Sequence, residues 1–222
     1  MRKKAVFLDI DGTILDEGIG ITEKTRFAVH TARQRGHLVC VATGRCMAEV
    51  GEEIRAVGFD GYVCAAGAHL VYKDRVVQAV YMEKERLERS VAFLEEAGCF
   101  YALEGTEHLY VPWEGWEALK REAPENERAA RLVRAYVDSV FPFHGLDEVS
   151  CVNKISYFWA KEPAGSLKEK AEKLGLTLTA FSMEWAAGES GELTLKGCHK
   201  GEGILRMAKH LGIPQEFVIG IG

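Results

Sequence analysis

Asp9 and Asp11 stand two residues apart at the end of a short apolar run, Ala5-Val6-Phe7-Leu8. In an extended segment such residues point to the same side. Two carboxylates so paired can hold a divalent cation through oxygen ligands. They can also divide labour, one attacking as a nucleophile while the other transfers protons. Gly12 permits close backbone approach beside them, and Thr13 adds a hydroxyl. A second apolar run, residues 38–42, ends in Thr43-Gly44-Arg45, where a hydroxyl and nearby amides suit a phosphate oxygen. Lys200 follows Gly197-Cys198-His199 at the start of a helical pattern. A cation at a helix N-terminus opposes the helix dipole unless an anion lies close, so this placement points to phosphate neutralisation. His199 reads as an exposed loop residue. Together the three segments suit attack of a carboxylate on phosphorus, with Thr43, Lys200 and loop amides holding the charge of the transferring group.

Such residues must be brought together by elements that end near one another. The first 80 residues alternate strand and helix patterns. Residues 5–8 read as a buried strand, 23–35 as a helix capped by Thr22 and stopped by Gly36, and 38–42 as a second strand. Residues 47–57 read as an amphipathic helix stopping at Gly58, 62–65 as a third strand, and 70–72 with 76–81 as a hairpin. This order predicts an α/β fold with a Rossmann-like parallel sheet, whose strand ends would carry Asp9 and Thr43 to one crevice. Residues 192–195 read as a short strand, 200–211 as a helix, and 217–222 as a buried core strand.

The stretch between these parts differs in composition. Residues 83–192 carry 13 basic and 21 acidic side chains and all four tryptophans, Trp113, Trp116, Trp159 and Trp185. Helices over 83–97, 125–140 and 164–174, with strands over 100–103, 108–111, 155–159 and 176–181, would build a separate sheet. The expected organisation is a core of residues 1–82 and 193–222, split by an α/β insert of residues 83–192. Trp113 and Trp116, one helical turn apart, read as core packing.

Composition excludes several function classes. The 222 residues are 47% hydrophobic and 27% charged, an ordinary globular balance. A net charge of −5 offers no basic footprint for nucleic acid. No stretch approaches the roughly 20 apolar residues of a membrane span. The apolar run after Met1-Arg2-Lys3-Lys4 is interrupted at Asp9, too early for a signal peptide. Six scattered cysteines without a C-x-x-C pair read as reduced thiols of a cytoplasmic protein.

Three segments carry a resemblance to a known family. Phe7-Leu8-Asp9-Ile10-Asp11-Gly12-Thr13, Val41-Ala42-Thr43-Gly44-Arg45 and Cys198-His199-Lys200-Gly201 resemble, in order, the first three motifs of the haloacid dehalogenase-like (HAD) phosphohydrolases, and within them the Cof-type, class IIB sugar-phosphate phosphatases. The resemblance implies a magnesium-dependent phosphomonoesterase that acts on a small phosphorylated metabolite through an aspartyl-phosphate. Asp9 would be the nucleophile and Asp11 the general acid/base. Gly12, Thr13, Thr43, Gly44 and Lys200 would bind the phosphoryl group, Arg45 would lie on the substrate side, and the insert would act as a cap that selects substrate. The Asp9 side chain and Asp11 carbonyl would ligate Mg2+, with a third acidic ligand expected just after Gly222. The core is thus expected to lack its C-terminal part within these residues. Ala66 stands where the family usually has Asn. The alternative readings are a phosphomutase of the same superfamily, and a folded but inactive binding or regulatory module if the 222-residue form is native.

Overall fold

The computed structural model describes residues 2–16, 19–121, 127–181 and 189–222. Trp185 and the first two residues of the helix expected over 125–140 lie outside them. The chain divides into two compact units, Met1–Val80 with Gly197–Gly222, and Tyr81–Lys196.

The first unit contains β1 (Ala5–Leu8), α1 (Glu23–Gln34), β2 (Leu38–Ala42), α2 (Glu52–Arg55), β3 (Gly61–Cys64), β4 (His69–Tyr72), β5 (Arg75–Ala79) and, after the second unit, α7 (Lys200–His210) and β12 (Val218–Ile221). Its sheet runs β12-β1-β2-β3-β4-β5. The first four strands are parallel, and the β4–β5 hairpin adds antiparallel. Alternation along β2 sends Val39 and Val41 to one face, packed with Val29 and Ile54 of α1 and α2. Leu38, Cys40 and Ala42 go to the other, packed with Met207 and Ala208 of α7. Thr22 caps α1 by accepting from Thr25 N–H (3.2 Å), and Gly36 at φ +84° follows its last turn.

Two expectations for this unit are corrected. The helix expected over 47–57 is broken: a 3-10 turn (Met47–Glu49) is followed by extended backbone at Gly51 and by the single turn of α2. Side chains outcompete helix propagation there. Glu49 Oε2 accepts from Cys46 N–H (2.9 Å), and the Arg55 guanidinium binds the carbonyls of Val50 (2.7 Å) and Met47 (3.2 Å). The strand at the end of the sequence, expected to be buried, is half-buried to exposed, because β12 has a neighbour, β1, on one side only.

The second unit contains α3 (Lys84–Glu96), β6 (Phe100–Gly105), β7 (Leu109–Pro112), α4 (Trp113–Arg121), α5 (Glu127–Ser139), β8 (Phe141–Phe143), β9 (Val152–Phe158), α6 (Ala164–Lys173), β10 (Leu176–Ala180) and β11 (Gly191–Leu195). Its sheet runs β10-β11-β9-β6-β7-β8 and is antiparallel except for β7–β8. The strand at 191–195, assigned from sequence largely to the core, belongs here. Leu193 lies opposite Ile155 and Ile155 opposite Leu103, all fully buried. On the other face Lys154 pairs with both Glu104 (3.2 Å) and Glu192 (2.7 Å). Helix α4 and strand β8 were not legible. Trp and Gly are mediocre helix formers, and Pro142 suits only an edge strand such as β8. Trp116 Nε1 donates to Val137 O and the ring packs in a small apolar cluster, whereas Trp113 stacks on His144.

Cys40, Cys64, Cys99, Cys151 and Cys198 are free thiols. Burial pushes the Cys40 and Cys64 thiols up to about 12, so neither is a thiolate nucleophile at neutral pH. Among the described residues no helix is long and apolar enough to cross a membrane.

Candidate active site

Strand β1 delivers Asp9 to the carboxyl end of the parallel sheet. Its N–H continues the ladder to Ile221 O (2.9 Å). Asp9 Oδ1 accepts from the N–H of Ile10 (2.8 Å), which fixes the carboxylate against its own backbone. The chain then turns tightly: Ile10 O accepts from the N–H groups of Thr13, Ile14 and Leu15, and Gly12 N–H donates to Leu15 O. Gly12 adopts φ +73°, which favours glycine. The turn leaves Asp11 exposed, and Thr13 is among the residues lining an apolar cavity of about 460 Å³ with Lys24, Thr25 and Val29 of α1.

The pairing of Leu8 with Val41 sets the end of β2 beside the end of β1. Thr43 extends β2 by one ladder bond to Val63 O (2.9 Å) and is fully buried. Its Oγ1 accepts from Arg45 N–H (3.2 Å), and its carbonyl accepts from Ala66 N–H (3.2 Å). A Cβ at Gly44 would meet nothing within 4 Å, so this backbone is open to close approach. Ala65 and Ala66 both have left-handed backbone (φ +49° and +51°), a conformation costly for Ala and easier for the expected Asn.

Helix α7 supplies the third part. Its first residue is Lys200, and the exposed His199, outside the helix as expected, caps it, with Nδ1 accepting from Glu202 N–H (3.3 Å). The helix sits very close to the loop after β3. A Cβ at Gly203 would lie 2.6 Å from Val63 Cγ1 and 2.7 Å from Gly67 Cα; one at Gly67 would lie 2.6 Å from His199 O. These two glycines, which the sequence reading passed over, set the depth at which Lys200 enters. A glycine inside a helical pattern was the available signal for Gly203.

The result is two ion pairs at one sheet edge. Lys200 Nζ donates to Asp9 Oδ2 at 2.5 Å, and the Arg45 guanidinium forks onto Asp11, Nε to Oδ2 at 3.1 Å and Nη2 to Oδ1 at 2.5 Å. Burial alone would lower the Arg45 pKa, but the hydrogen bond and charge of Asp11 outweigh it, so it is raised. The arrangement thus sets two carboxylates, each paired with a basic side chain, side by side at the carboxyl end of the sheet.

The chain has known relatives over nearly all its length. It is 26% identical over 242 residues to Phosphatase YwpJ of Bacillus subtilis, covering 99% of this chain and 82% of that protein. Among solved structures, a haloacid dehalogenase-like hydrolase from B. subtilis superposes with a TM-score of 0.77 at 23% identity, covering 99% of this chain and 82% of that one. The HAD subclass IIB sugar phosphatase BT4131 superposes with a TM-score of 0.73 at 21% identity, covering 98% and 80%. Residues 6–222 match the haloacid dehalogenase-like hydrolase family, and over that length, motifs included, the chain belongs to it.

Proposed function

We propose that this protein is a phosphomonoesterase of the Cof-type branch, acting on a small phosphate ester such as a sugar phosphate. The observation that carries the reading is Lys200 on Asp9 at the end of β1, beside the Asp11 turn. The phosphatase activity named for YwpJ supports it, and the sugar-phosphate class follows the name of the BT4131 neighbour.

In this mechanism Asp9 Oδ forms a bond to phosphorus as the ester P–O bond breaks, and Asp11 gives its proton to the departing oxygen. Water then attacks the phosphorus of the aspartyl-phosphate and passes a proton to Asp11. The Asp9–phosphorus bond breaks and inorganic phosphate leaves. Lys200 and the open backbone at Gly12 and Gly44 hold the phosphoryl oxygens. The Asp9 carboxylate and Asp11 carbonyl are hard oxygen donors, the chemistry Mg2+ prefers, and a site of one or two carboxylates completed by water and substrate phosphate is usual for it. When bound, the ion neutralises charge developing on the transferring group.

The test is hydrolysis of p-nitrophenyl phosphate by the full-length protein with magnesium. Asp9→Asn is expected to abolish turnover; turnover at the wild-type rate overturns the reading.

A further inference from the structure

We propose that Arg45 is a positioning residue that aims the Asp11 carboxyl group for proton transfer. The proposal rests on the phosphomonoesterase reading above and deepens it.

Arg45 is built into its place from three directions. Its N–H donates to Thr43 Oγ1 (3.2 Å), and its carbonyl accepts from Ala65 N–H (2.7 Å), so its backbone ties the loop after β2 to the loop after β3. Its Nη1 reaches Glu49 O (3.5 Å). Its Nε and Nη2 span the two oxygens of Asp11. A planar guanidinium engaged through two parallel bonds fixes both position and plane of a carboxylate, which a single-point cation does not.

Asp11 needs such support. Its side chain is 60% exposed and stands on a turn that bends away from the sheet. Among the described residues, Arg45 is the side chain that hydrogen-bonds its oxygens. Free of Arg45, it would rotate among several rotamers, and a proton donor must be held within hydrogen-bond reach of the oxygen it serves. Nη2 on Oδ1 (2.5 Å) and Nε on Oδ2 (3.1 Å) together hold both oxygens of the carboxyl group in one plane. Three of the five N–H donors of Arg45 are thus engaged on Asp11 and Glu49.

A leaving-group comparison tests this. Departure of an alkoxide from glucose 6-phosphate requires a proton, whereas 2,4-dinitrophenolate leaves without one. For the full-length protein, kcat/KM of Arg45→Gln is expected to fall on the order of 100-fold with glucose 6-phosphate and about three-fold or less with 2,4-dinitrophenyl phosphate. Arg45→Lys, keeping the charge without the fork, is expected to fall between wild type and Arg45→Gln on the sugar ester. The double variant Arg45→Gln/Asp11→Asn is expected to lose no more than Asp11→Asn alone, because Arg45 acts through Asp11. Equal losses on the two esters, a rise confined to KM, or additive losses in the double variant overturn the proposal and leave the parent reading standing. Retention of both activities in Asp9→Asn would instead remove the parent reading.

Discussion

Lys200 Nζ lies 2.5 Å from Asp9 Oδ2, although 191 residues separate them in the chain. The pair joins the first strand of the sheet to the N-terminus of α7, which a whole second unit separates in sequence. Lys200 begins a helix, where its charge opposes the dipole, and Asp9 supplies the compensating anion.

Replacement of Lys200 tests the proposal that it holds the phosphoryl group. Lys200→Met is expected to lower kcat/KM for p-nitrophenyl phosphate by about 10²–10³-fold, the range seen when one donor to a developing charge is removed. Its contact with Asp9 is partly exposed and screened, so stability should change by less than about 1 kcal/mol. A large loss of thermal stability accompanying the loss of activity would show that Lys200 acts chiefly in the fold.

The close approach of α7 makes an opposite pair of glycine substitutions informative. Gly203→Ala is expected to destabilise by about 1–3 kcal/mol, since its Cβ would press on Gly67 Cα and Val63, and to lower activity by displacing Lys200. Gly165→Ala, in α6 with open space around it, is expected to stabilise by about 0.5 kcal/mol. Denaturant melts of both variants check the signs; an unchanged midpoint for Gly203→Ala would contradict the tight contact.

His69 makes stability pH-dependent. It is buried on β4 with neither ring nitrogen hydrogen-bonded among the described residues, and burial holds its pKa below 6.5. Above the unfolded-state value of about 6.5 the ring is neutral in both states and costs nothing by ionisation. As pH falls below it, the unfolded chain takes up a proton that the folded chain resists, so stability declines toward the folded-state pKa. Melting temperatures between pH 7.5 and 5 should therefore drop less in His69→Phe than in wild type. Parallel curves for the two proteins would refute the assignment.

Local patterns carried much of the architecture. The apolar runs before Asp9 and Thr43, the Thr22 cap and the Gly36 stop report short-range preferences, and the corresponding strands and helix are present. The motif residues were legible for the same reason: each sits at the end of a strand or the start of a helix, where type and spacing suffice to suggest chemistry. The break at Gly51 was not, because it depends on Glu49 and Arg55 side chains capturing backbone groups in competition with a plausible helix.

What the sequence determined by itself was the set of reactive groups and the order of elements that present them. Tertiary structure decided which of those groups meet. It set Lys200 on Asp9, turned Arg45 onto Asp11, and placed the strand of residues 191–195 in the second sheet. Each outcome depends on strand register and on how closely two distant segments pack, as at Gly67 and Gly203. Such long-range geometry leaves no trace in local periodicity, because it arises only when the chain's apolar faces are buried against one another.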